Sequence, residues 1–113
     1  MEYHSNSTCP KKLMAARDTL DIISGKWKVP IIISLTFGKK RFKEMERDIE
    51  DITPKMLSKE LKDLEINGLV SRTVYNTTPV TVEYALTDYG QTLDPLLSEI
   101  MRWGENHRDK IMS

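Results

Sequence analysis

The sequence predicts a mainly α fold with a small β-ribbon, a winged helix-turn-helix with a further helix toward each chain end, on three observations. Residues 53–69, TPKMLSKELKDLEINGL, set Leu57, Leu61 and Leu64 within roughly 60° of arc at about 100° per residue, with Lys55, Lys59 and Lys62 on the opposite side. A shorter amphipathic segment, with Phe42, Met45 and Ile49 at i, i+3 and i+7, precedes it across a tight turn. Behind it, two runs alternate at period two around a polar turn, the pattern of a two-stranded ribbon.

In chain order, Pro10 to Ser24 has a helical pattern with Leu13, Ala16, Leu20 and Ile23 on one side, a proline near its first turn and Gly25 at its end. Trp27 to Phe37 is almost wholly apolar and reads as a buried helix that tolerates Pro30 in its first turn; a β-strand is the competing reading of its Ile-rich run. Gly38, Lys39 and Lys40 form a turn into the short helix. Thr53 then suits an N-cap and Pro54 the first position of the lysine-leucine helix, which ends at Asn67 and Gly68, the latter able to take the left-handed conformation past the helix end.

Val70, Arg72 and Val74 alternate with Ser71, Thr73 and Tyr75, and Val82, Tyr84 and Leu86 with Glu83 and Ala85; Asn76 to Thr81 makes the tip. Thr87 and Asp88 cap the last helix, where Leu93, Leu96, Leu97, Ile100, Met101, His107 and Ile111 form a wide stripe. Pro95 lies too deep for a first-turn proline of that helix, so a kink or a late start is expected. The stripe is longer than the core of 113 residues needs, and with the first helix it makes the expected dimerisation surface.

This length suits one domain. The expected organisation is a flexible tail over 1–8, the domain over 9–107, and 108–113 as the end of the last helix or a tail. With 39% hydrophobic and 30% charged residues the chain is of ordinary globular composition. No apolar stretch approaches the roughly 20 residues of a membrane span and none resembles a signal peptide, so a cytoplasmic protein with no membrane partner is expected. Net charge is zero, but Lys+Arg outnumber Asp+Glu 13 to 9 up to Lys62 and are outnumbered 4 to 8 beyond it, favouring a basic face early and an acidic or neutral assembly face late.

No phosphate loop, no Ser/His/Asp grouping and no paired carboxylates in a pocket-forming context occur, and His4 and His107 are too scattered to make a metal site with Cys9; neither catalysis nor a cofactor is expected. Double-stranded DNA is the partner that fits a lysine-faced second helix with a wing behind it. Lys55, Ser58 and Lys59 are the candidates for base edges or adjacent phosphates, with Lys62 on the same face. Met56 is either a contact to a thymine methyl or idle surface. Thr53 and its helix N-terminus suit a phosphate, Lys39, Lys40, Arg41 and Arg72 suit phosphate clamps, and Asn76, Thr77 and Thr78 suit sugar-phosphate hydrogen bonds. A solvated lysine face is the bland alternative.

Cys9 is the only cysteine, so no intramolecular disulfide can form. It lies at the expected start of a helix beside Lys11 and Lys12, both of which favour thiolate, and a packed or incidental cysteine is the alternative. As a sensor it would bridge two protomers, form a mixed disulfide with a small thiol, or be alkylated by an electrophile.

The run CP, LDIISGKWKVPII, RFKEMERDIEDITPKMLSKELKDLEINGLVSRTVY, VEYALTDYG and MRWGENH, in that order from Cys9 to His107, resembles the HxlR family of bacterial winged helix-turn-helix regulators. The resemblance implies a homodimeric, sequence-specific transcriptional regulator, expected to be a repressor, on an inverted-repeat operator near its own or a neighbouring gene. It also implies a response to oxidants, aldehydes or other reactive electrophiles through the cysteine at the position of Cys9. Two further functions fit the residues: a winged-helix protein-interaction module, and a regulator governed by a small ligand near Trp27 and Trp103 without thiol sensing.

Overall fold

The computed structural model describes residues 9–113; the expected tail over 1–8 and the side chain of Cys9 lie outside what it describes. In chain order the elements are α1 (Cys9–Ile23), α2 (Lys28–Thr36), β1 (Lys40–Arg41), α3 (Phe42–Asp48), α4 (Pro54–Ile66), β2 (Val70–Tyr75), β3 (Thr81–Leu86), α5 (Asp88–Gln91) and α6 (Asp94–Met112). The core forms where the leucine side of α4 meets Ile31, Ile32 and Leu35 of α2. Met45 of α3 and Ile49 just after it close one side, and Leu69, Val70 and Leu97 the other. Each of Leu57, Leu61 and Leu64 is fully buried, about 1.5–3 kcal/mol apiece of apolar transfer.

The Ile-rich run is helical. Nothing in its period separates helix from strand, but burial of Ile31, Ile32 and Leu35 on one side of a helix matches the face that α4 presents. Asp51, in the turn between α3 and α4, sits at φ 70°, a left-handed position where Asp is better tolerated than most residues. Gly68 takes φ 76° past α4, as its place after Asn67 predicts.

Three points differ from the sequence reading. The ribbon has a third strand: β1 lies against β3, with Lys40 opposite Tyr84 and Arg41 opposite Glu83, so the order is β1-β3-β2, all antiparallel. Two residues carry no readable period; β3 offers them an edge. Thr81, expected at the tip, pairs with Tyr75 and belongs to β3. Thr87 caps α5 rather than the last helix, its hydroxyl accepting from the Gly90 N–H at 2.9 Å, and α6 begins late, at Asp94, which puts Pro95 in a first turn that has no N–H to lose.

α1 is buried only at its last turn, where Ile23 is buried and Thr19 and Ile22 are half-buried; Leu13 and Leu20 are 64% and 59% exposed. α6 buries Leu97 and exposes Met101, Trp103 and Ile111. The radius of gyration is 16.8 Å, well above the about 13 Å of a compact chain of this length, and the extents are 59 × 40 × 22 Å. Among the described residues no helix is long and apolar enough to cross a membrane.

Candidate functional site

The exposed side of α4 is built by three local features. The Thr53 hydroxyl accepts from the Met56 N–H at 3.1 Å and Pro54, which has no N–H, occupies the first turn, so the helix starts abruptly with its Met56 donor accounted for by the cap. Burial of the leucines then turns Lys55, Met56, Ser58, Lys59 and Lys62 to the surface. Arg72 is exposed on β2, and Asn76, Thr77 and Thr78 are exposed at the wing tip. These residues stand on consecutive elements of the helix-turn-helix and its wing. At the tip, the Thr77 hydroxyl donates to the Pro79 carbonyl at 2.7 Å, so it shapes the turn as well as facing solvent.

Of the three cations expected to act together, Lys40 is parted from Lys39 and Arg41, because successive residues of extended chain point to opposite faces. Lys39 lies 3.5 Å from Glu83 and over the Tyr75 ring at 6.0 Å; the Glu83 charge, then Tyr75, raises its pKa above the ordinary lysine value. Lys40 turns the other way, into an ion pair with Asp48 and a 3.2 Å hydrogen bond to buried Ser34. Hydrogen bonds from Lys40 and Ser34 hold the Asp48 carboxyl below its usual range. Lys40 is thus committed to tying β1 to α3 and α2. Arg41 keeps its side chain exposed while its backbone N–H donates to Glu44 at 2.8 Å.

Sequence reasoning missed a network on α4. Glu60 is buried, its carboxylate 3.1 Å from the Lys28 ammonium of α2, which also reaches Asp63 at 3.5 Å. Lys59 stands 3.6 Å from Glu60 and 3.9 Å from Asp63. The sequence does carry one sign of it: at about 100° per residue Glu60 falls only about 60° from Leu57, inside the margin of the apolar arc, where a lone charge needs a partner.

The two tryptophans do not line one cavity. Trp27 borders an open groove of about 670 Å³ with Pro30, Ile33 and Phe37. Trp103 lies exposed on α6, its ring stacked on His107 at 5.0 Å between centroids.

With this geometry in place, the chain can be set beside known proteins. A model of the HxlR-like helix-turn-helix family matches residues 22–112. The HTH-type transcriptional regulator YybR of Bacillus subtilis (strain 168) is 41% identical over 98% of this chain and 85% of its own length. Among solved structures, the redox regulator HypR in its reduced form superposes with a TM-score of 0.82 at 43% identity, covering 87% of this chain and 97% of that one. Diamide-treated YodB from B. subtilis gives a TM-score of 0.72 at 37% identity, over 89% and 96% of the two chains.

Proposed function

The chain belongs to the HxlR-like helix-turn-helix family of transcriptional regulators and is not an enzyme, and from that premise we propose that it acts as a homodimeric repressor on an inverted-repeat operator. The observation that carries this reading is α4: a leucine side sealed into the core, a capped N-terminus, and Lys55, Ser58, Lys59 and Lys62 left facing outward beside a wing. A helix so mounted presents its N-terminal half to a major groove, with Lys55, Ser58 and Lys59 nearest the bases. Thr53, Arg41 and Arg72 serve the backbone, as do Asn76, Thr77 and Thr78 at the wing tip. Lys40 is left out of the binding set, since its ammonium is held by Asp48.

The assembly is supported by what one copy leaves uncovered. Leu13 and Leu20 on α1 and Met101, Trp103 and Ile111 on α6 are apolar side chains on helices that project from the core. Paired with a second copy they would be covered, and a two-fold axis would set two α4 helices against half-sites about 34 Å apart, one DNA turn.

Binding is tested by titrating the duplex upstream of the chain's own gene over a salt series. Lys59→Ala should weaken affinity and lower the log-log salt slope by about 0.9 for each phosphate no longer neutralised. Unchanged affinity and slope would remove Lys59 from the interface.

Redox or electrophile response through Cys9 is the second part of the proposal. Its support is the likeness to the redox regulator HypR, in its reduced and oxidised forms, and to diamide-treated YodB. Diamide or a quinone is expected to release wild type from its operator and leave Cys9→Ser bound. Equal indifference of both proteins would end the sensor reading, and equal release of both would point to a ligand acting elsewhere.

A further inference from the structure

A trough of about 850 Å³ lies between α3 and the wing, away from the exposed side of α4. It exists because β1 is only two residues long. β1 covers β3 at Glu83 and Tyr84, then the chain turns into α3, so the same edge of β3 at Thr81 and Val82 has no strand beside it. α3 forms the facing wall. Burying Met45 turns Lys43 and Arg47, at i and i+4, to the outer side of that helix, about 6 Å apart along its axis.

The charges of the trough do not cancel. Its lining carries Lys39, Arg41, Lys43 and Arg47 against Glu44 and Glu83. Glu83 is engaged by Lys39 at 3.5 Å, and Glu44 accepts from the Arg41 backbone at 2.8 Å. Among the described residues, Arg41, Lys43 and Arg47 have no carboxylate within ion-pair distance. Three cationic side chains thus converge on an open channel whose other wall is the wing, in a chain of zero net charge.

We propose that this trough is a backbone-phosphate site for double-stranded DNA, with Lys43 and Arg47 as its principal contacts and Arg41 at its mouth. It rests on the DNA-binding reading of α4 and extends that reading to a separate surface. The two cations, one helical turn apart, match neighbouring phosphates of one strand, and the site lies between α3, the first helix of the helix-turn-helix, and the wing. Contacts of this kind carry register and orientation and no sequence information.

The test compares the full-length wild type with Lys43→Gln/Arg47→Gln by fluorescence anisotropy, on the upstream duplex and on a random duplex of equal length, across a salt series. Affinity for both duplexes should fall together, roughly tenfold or more near 150 mM salt, and the log-log slope should drop by about 1.8 per protomer. Lys43→Arg/Arg47→Lys should retain the slope. Both positions are exposed, so an unchanged thermal midpoint is expected and separates weakened DNA binding from impaired folding. Unchanged affinity and slope, or a loss confined to the upstream duplex, overturns the trough while leaving DNA binding by α4 intact. A variant that keeps DNA affinity but loses binding to poly-glutamate assigns the trough to an acidic protein partner and overturns it too. Failure of the wild type to bind either duplex defeats the DNA reading itself.

Discussion

Gly90→Ala is expected to cost about 3 kcal/mol of stability and lower the thermal midpoint by roughly 15 °C, the largest effect foreseen for a one-carbon change in this chain. Gly90 is not in the left-handed region, so the requirement is space. A Cβ there would stand 2.1 Å from the Leu69 carbonyl oxygen, 3.1 Å from its carbon and 3.3 Å from Leu86 Cδ2. The oxygen it meets cannot swing away cheaply, because it accepts from the Thr87 N–H at 3.0 Å. The Thr87 hydroxyl in turn donates to the Gly68 carbonyl at 2.6 Å and accepts from Gly90 itself at 2.9 Å. One clasp joins the end of α4, the end of β3 and α5, and an added methyl would have to open it. Thermal unfolding followed by circular dichroism measures the effect; a midpoint within about 3 °C of wild type would show that α5 shifts freely.

Lys28→Met is expected to lose about 2–3 kcal/mol in urea unfolding, and Lys28→Met/Glu60→Leu to recover most of it. The Lys28 and Glu60 side chains are 12% and 7% exposed and 3.1 Å apart. Removing one partner of a buried pair strands the other charge, typically a loss of about 3–5 kcal/mol, whereas an apolar pair of similar volume is often neutral or better. Lys59, at 3.6 Å from the same carboxylate, offsets part of the loss, which places the expectation below that range. The pair joins α2 to the middle of α4, so the double variant also asks whether the bridge sets the helix's orientation. If the single substitution proves neutral, Glu60 is reached by water and the bridge does not stabilise the fold.

Much of the helix-turn-helix and wing was legible in advance because its signals are local. Thr53, Pro54 and Gly68 mark the limits of α4 through caps and a left-handed φ, and the leucine spacing names its buried side. The alternating valines mark β2 and β3 by the same logic. Pro95 forbade an uninterrupted last helix and left open whether it would kink or start late; packing around the Thr87 clasp chose the late start. The candidate contacts on α4 emerge exposed, while Lys40 is parted by the pleat from Lys39 and Arg41, its neighbours in sequence. Lys43 and Arg47 went unnoticed because cations on a short amphipathic helix look like solvated surface until the wing is seen to face them.

By itself the sequence determined the helix-turn-helix and the two long wing strands, the limits of α4, the side of α4 that would be buried and the family to which the chain belongs. Those properties depend on residues within a few positions of one another, where backbone geometry dictates which side chains share a face. Tertiary structure alone decided that a two-residue strand completes the sheet, that Lys28 meets Glu60 across 32 positions, and that a cationic trough opens beside the wing. Each arises where two distant segments meet, and the charge or strand edge on one has no visible purpose until folding brings the other to it.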